Sequence, residues 1–287
     1  MKRVLCYGDS LTAGWCNGGR SFEPYARHLN IAGVSAVEVG LSGWCASEMV
    51  SSHDEPMLGI QHLLSTAQAN GQPFDAVVIM AGTNDLGSLQ SSSPAAISSN
   101  VCQLHALARE GGVRRTLAVG IPESRFASGG RPFDEKRRAT NALIEANAKE
   151  VSDSSELGET MVYIDCPVLF GNETGHWESD GLHMAKLGYQ ELGRRLAAPV
   201  AALVEAEVNG RGAMKGGGAA AAAVEASAGA AEADAEADAE TSTEAPTEPN
   251  ADAADAAAAA AADDAHVPVE CTAPAASLAQ RAWCCTG

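Results

Sequence analysis

The sequence predicts an α/β protein built on a parallel sheet, and three observations carry that prediction. Strand-like and helix-like segments alternate over about the first 200 residues. The clearest strand is apolar through its middle rather than alternating, the pattern of burial on both faces. The residues richest in chemistry fall just beyond the strands, where open sheets of this kind place their ligands.

The elements follow in order. Residues 2–7 form a first strand, with Val4, Leu5, Cys6 and Tyr7 running apolar to Gly8. Residues 23–30 read as a short helix with Pro24 near its first turn. Val34, Val37 and Val39 supply β-branched residues to a second strand over 34–41. A helix over 56–69 places Leu58, His62, Leu63 and Leu64 at helical spacing, and Asn70-Gly71 closes it. Residues 75–81, DAVVIMA, are the third and clearest strand. Ser93 and Pro94 cap and open a helix that runs to Glu110 and stops at Gly111-Gly112. A fourth strand over 115–121 ends at Pro122. A long helix over 134–151 sets Ala139, Leu143, Ile144 and Ala148 on one side. A fifth strand over 161–165 and a final helix over 185–204 complete the pattern.

The rest of the chain is different. It holds alanine runs, the repeat AEADAEADAE and almost no large apolar side chain. Thirteen of the 37 acidic residues but only Lys215 and Arg281 of the 19 basic ones lie beyond residue 212, which gives that segment −11 of the formal −18. Such a composition does not offset its own ordering entropy, so residues 207–287 are expected to form a disordered acidic tail. The first 212 residues carry the other −7 and offer no basic patch to a nucleic acid. The eight cysteines contain no Cys-x-x-Cys pair and suggest no zinc site; they read as free thiols in a reducing compartment. Cys284-Cys285 lies near the end of the chain without the aliphatic residues of a prenylation signal, and acylation of the pair stays open. The apolar stretch after Lys2-Arg3 is too short for a signal peptide, and no run reaches the ~18 apolar residues of a membrane helix. A cytoplasmic protein is expected.

Four segments beyond the strands converge on one chemistry. They are Gly8-Asp9-Ser10-Leu11, Gly40-Leu41-Ser42-Gly43, Gly82-Thr83-Asn84-Asp85 and Asp180-Gly181-Leu182-His183. Acyl transfer needs a hydroxyl, a base that takes its proton, and a group that orients the base. Ser10, His183 and Asp180 supply these. Imidazole suits the base because it titrates near neutrality. The tetrahedral intermediate needs donors aimed at its oxyanion, and the Ser10 and Gly43 amides and the Asn84 carboxamide can meet there. Gly40 lies close enough to compete with Gly43 for that place. Asp9 reads as structural, and Asp85 as a cap or brace. His28, His53, His62 and His105 read as surface or packing residues. His176 and Trp177 are equally good as pocket lining and as loop filler.

These segments resemble the GDSL, or SGNH, hydrolase family, whose name letters match Ser10, Gly43, Asn84 and His183 in chain order. The resemblance covers about residues 2–200 and leaves the tail aside. It implies a flavodoxin-like three-layer α/β/α sandwich with five parallel strands, and hence a catalytic domain over residues 1–206. It also implies that Ser10 attacks a carboxylic ester or thioester, His183 is the base, Asp180 orients it, and Gly43 and Asn84 complete the oxyanion hole. No metal or cofactor is implied. The motifs are separated by little beyond the crossover helices, so small acyl groups are the expected substrates. Residues 123–131 are the expected flexible substrate loop, with Arg125 and Arg131 on it. Two other readings remain: an acyltransferase on the same scaffold, and a non-catalytic binding protein whose acidic tail meets an unknown partner.

Overall fold

The computed structural model describes residues 1–88, 93–155, 158–171 and 175–209. The disorder expected of the acidic segment, and Cys271, Cys284 and Cys285 with it, lie outside the described residues.

Five strands form one parallel sheet: β1 (Lys2–Gly8), β4 (Val34–Gly40), β5 (Ala76–Met80), β6 (Arg115–Val119) and β7 (Thr160–Ile164). Two-residue strands β2 (Trp15–Cys16) and β3 (Ser21–Phe22) make a separate hairpin. The main sheet runs in the order β4-β1-β5-β6-β7. The chain therefore steps one way from β1 to β4 and the other way from β5 onward, and the switch point lies at β1, the strand that leads into Ser10.

Burial on both faces explains the apolar strands. Val4 and Cys6 of β1 and Val78 and Met80 of β5 pack toward α6 (Lys186–Asn209), which contributes Tyr189, Leu192 and Leu196. Leu5, Tyr7, Val77 and Ile79 point the other way. There they meet α2 (Ala46–Ser51), α3 (Ile60–Ala69), α4 (Pro94–Glu110) and α5 (Pro132–Ser154). The result is the three-layer α/β/α sandwich. Ser93 caps α4 as expected, its side chain accepting the Ala96 N–H at 3.1 Å, with Pro94 in the first turn.

Four local expectations change. Residues 23–30 form only the 3-10 turn Tyr25–His28, and Pro24 stays extended before it. The helix expected from residue 56 begins at Ile60, because Met57 takes a left-handed φ of 67°. The hairpin β2–β3 and the short α2 were not foreseen. On α5, Ala139 and Leu143 are exposed, and the buried side is polar in its first half: Asp134, Arg137, Thr140 and Asn141. Asn141 accounts for part of this, since its amide exchanges two hydrogen bonds with the Ile121 backbone, at 2.9 and 3.0 Å, where β6 gives way to the next loop.

Candidate active site

β1 ends at Gly8, and Asp9 caps the four-residue helix α1 (Ser10–Ala13) by accepting the Leu11 N–H at 2.9 Å. That cap fixes Ser10 at the first helical position, 7% exposed. The Ser10 Oγ lies 2.9 Å from His183 Nε2, and His183 Nδ1 lies 2.8 Å from Asp180 Oδ2. The other oxygen of Asp180 accepts the Leu182 and His183 backbone N–H groups at 2.8 and 3.0 Å. Partial burial pushes the Asp180 carboxyl up. The His183 ring and these two N–H groups outweigh it and hold the carboxyl below its ordinary range. The structure thus brings Ser10, His183 and Asp180 into one hydrogen-bonded line across 173 residues of chain.

The loop that presents Asp180 and His183 is itself tied down. Glu178 N–H donates to the His183 carbonyl, Ala185 N–H to the His176 carbonyl, and Trp177 bridges to Met184. Trp177 is 9% exposed, donates Nε1–H to the Leu169 carbonyl and meets Phe170 edge-on, so it is a packing residue. Residues 123–131 are less free than expected. Arg125 N–H donates to the Gly181 carbonyl at 2.7 Å, and Ser124 and Ala127 are buried.

Gly43 and Asn84 lie on the loops after β4 and β5, the two strands that flank β1 in the sheet. Gly43 has φ +82°, a conformation that side chains other than glycine rarely adopt, and a Cβ there would meet nothing. A Cβ on Gly40, by contrast, would collide with Ala13, so Gly40 serves close packing against α1. Asn84 Nδ2 donates to the Trp44 carbonyl at 2.9 Å, which joins the loop after β5 to the loop after β4.

Two buried carboxylates underlie these loops. Asp9 is fully buried; burial pushes its carboxyl up to about 7, and nearby Asp85 adds to the rise. Asp85 is also fully buried and accepts the Ala46 N–H at 2.8 Å. Burial raises it to about 6 against the hydrogen bonds it accepts. Asp85 thus accepts the first N–H of α2 and ties that helix to the loop after β5, in line with a cap or brace.

The sequence did not reveal Trp15. Its ring lies over the His183 imidazole, with centroids 4.0 Å apart and planes at 35°. The Trp15 carbonyl accepts the Tyr189 hydroxyl, and Asn17 N–H reaches the Glu178 carboxylate at 3.1 Å. The hairpin therefore clasps the histidine loop. Its signal was available: Asn17-Gly18-Gly19 between two aromatic residues is a hairpin turn pattern. A cleft of about 370 Å³ lies elsewhere, lined by residues such as Glu123, Arg137, Tyr163 and Phe170, and it includes none of Ser10, Asp180 or His183. Among the described residues no group of three or more His, Cys, Asp or Glu side chains could hold a metal ion. Among the same residues no helix is long and apolar enough to cross a membrane.

Comparison with known proteins places this geometry. The model of the GDSL-like Lipase/Acylhydrolase family matches residues 6–191, and the chain belongs to that family. No curated protein matches the chain. Among solved structures, a protein described as an arylesterase from Agrobacterium tumefaciens str. C58 is 25% identical, with a TM-score of 0.52 over 71% of this chain and all of the other. Est24, a carbohydrate acetylesterase from Sinorhizobium meliloti, is 25% identical with a TM-score of 0.50 and the same coverage. The inhibitor-bound aryl esterase of M. smegmatis, 23% identical with a TM-score of 0.51 and again the same coverage, agrees in fold.

Proposed function

We propose that the protein hydrolyses carboxylic esters or thioesters of small acyl groups through an acyl-enzyme on Ser10. The observation that carries this reading is the continuous line from Ser10 Oγ to His183 Nε2 to Asp180, with both links under 3 Å. A serine hydroxyl becomes an effective nucleophile when a base stands ready for its proton. His183 takes that proton as Ser10 Oγ bonds to the acyl carbon. Asp180 holds the Nδ1–H tautomer and stabilises the imidazolium that forms. The carbonyl oxygen becomes an oxyanion, with the Ser10 and Gly43 amides and the Asn84 carboxamide as its donors. His183 then protonates the leaving alcohol or thiol as the acyl bond to it breaks. Water, deprotonated by His183, hydrolyses the acyl-enzyme and returns Ser10.

The family match supports an acylhydrolase. The arylesterase and carbohydrate acetylesterase named among the similar structures support short-chain esters. The test is a chain-length series of p-nitrophenyl esters on wild type and Ser10→Ala. Turnover should be highest for acetate and propionate and fall to background in the variant. Equal turnover by the two proteins would refute the reading.

A further inference from the structure

The pairing of β1 with β4 ends where Leu41 N–H donates to the Gly8 carbonyl. From there to the start of α2, residues 42–45 turn back without a neighbouring strand, and a local bond from the Trp44 N–H to the Leu41 carbonyl closes the turn. Gly43, a proposed oxyanion donor, lies in this segment. Oxyanion donors act at about 2.7–3.1 Å from the developing charge, and a misplacement near 1 Å costs on the order of a hundredfold in rate. Something must therefore hold the segment against the rest of the site.

We propose that Asp85 is a positioning residue that fixes the oxyanion loop relative to Ser10 by accepting the Ala46 N–H. The inference rests on the ester-hydrolase reading above. Asp85 is fully buried, and its Oδ2 accepts from Ala46 at 2.8 Å. Its neighbour Asn84 holds the same segment two residues earlier, through the Trp44 carbonyl. Adjacent side chains on the loop after β5 thus grip both a carbonyl and an N–H of the loop after β4. In the sheet, β1 lies between those two strands. Neighbouring strands are spaced about 4.8 Å apart, so the loops joined by these two bonds come from strands roughly 10 Å apart, on either side of the strand that leads into Ser10.

Ala46 is the first residue of α2, so the bond to Asp85 also satisfies a first-turn N–H of that helix. The Cys45 N–H at the start of α2 is already satisfied by Glu48, at 2.8 Å from within the same helix. Asp85 also keeps one oxygen, Oδ1, buried with no hydrogen-bond partner, which is costly for an acid that serves packing alone. What the residue adds is a charge-assisted link between loops, of the stronger kind.

The test compares Asp85→Ala, Asp85→Asn and Ser10→Ala, each assayed with p-nitrophenyl acetate and checked by thermal melting. Asp85→Ala should keep a cooperative melt and lower kcat about 10- to 100-fold, with KM within about twofold of wild type. Asp85→Asn retains an acceptor at the same reach and should recover to within about fivefold of the wild-type kcat. In an Asn84→Ala background, where the loop has lost its other grip, Asp85→Ala should cost less than about threefold more. A wild-type kcat in Asp85→Ala overturns the assignment, as does a full additive loss in the double variant. Should the alanine variant fail to fold, Asp85→Ser, whose hydroxyl is too short to reach Ala46, takes its place. Failure of both to fold overturns the assignment, because the residue then serves the fold. Ser10→Ala separates the two readings: activity in that variant refutes the hydrolase mechanism, whereas an inactive Ser10→Ala beside a fully active Asp85→Ala refutes only the role of Asp85.

Discussion

His105 sits on the inner side of α4, fully buried, with no hydrogen-bond partner at either ring nitrogen. Burial first, and the charge of Arg109 second, push its imidazole down to about 3 from an ordinary 6.5. The sign of the consequence follows from proton counting. Between pH 6.5 and 3 the unfolded chain binds a proton at this residue and the native state does not. Stability therefore falls as pH drops through that window and is intact above it. At pH 5 the unfolded side chain lies about 1.5 units below its own midpoint, which costs the native state about 2 kcal/mol at 1.36 kcal/mol per unit. At pH 7.5 the cost is close to zero. Leucine has a similar volume and nothing to protonate. The protein carrying His105→Leu should therefore be at least as stable as wild type at pH 7.5, since two unpaired polar atoms are gone. At pH 5 its advantage should widen by about 2 kcal/mol. Urea unfolding at the two pH values, followed by tryptophan fluorescence, measures both differences. Asp9 and Asp85 titrate in the same range but are common to both proteins and cancel. An advantage that is the same at pH 5 and pH 7.5 would refute the reasoning.

Three further outcomes are expected. Trp15→Ala removes the ring that rests on His183, and the loss of roughly 1 kcal/mol of ring contact should lower kcat/KM for p-nitrophenyl acetate about five- to tenfold; unchanged kinetics would mean that the contact is idle. Asp9→Asn keeps the acceptor for Leu11 but removes a carboxyl that burial raises to about 7. The native wild type binds the extra proton between about pH 4 and 7, so its stability falls as pH rises through that window, and the variant should gain on it by a few kcal/mol between pH 4 and pH 8. Thermal melts across that range would show the gain, and parallel curves would count against it. Deleting residues 210–287 should leave both the ester kinetics and the melting temperature of the wild type, because the family match ends at residue 191; a lower melting temperature would give the acidic segment a part in the fold.

The parts that were legible in the sequence are those whose chemistry fixes their surroundings. A buried parallel strand has to be apolar on both faces, so residues 76–80 announce themselves. A serine, an imidazole and a carboxylate at the ends of strands point to one another before any coordinates exist. The unread parts are short or invert a rule. Strands of two residues, as in the hairpin, carry no periodicity. Helix α2 has six residues, and its N-cap is Cys45 rather than Ser, Thr, Asn or Asp, so the usual start signal is missing. On α5 the apolar Leu143 faces water while Asp134 and Arg137 pair with each other inward at 2.9 Å. Apolar spacing alone selects the wrong side of that helix, because half of its inner face is spent on holding the loop after β6.

The separation of 173 positions between Ser10 and His183 also imposes an order in time. Synthesis proceeds at about 5–20 residues per second, so Ser10 leaves the ribosome roughly 10–35 s before His183. Through that interval the growing chain holds Ser10 without its hydrogen-bond partner, and under the mechanism proposed above it lacks the base for an attack on an ester. Under that mechanism competence arrives only when the last strand and the loop before α6 have docked. On that mechanism, a copy that stops short of His183 is harmless to the esters around it.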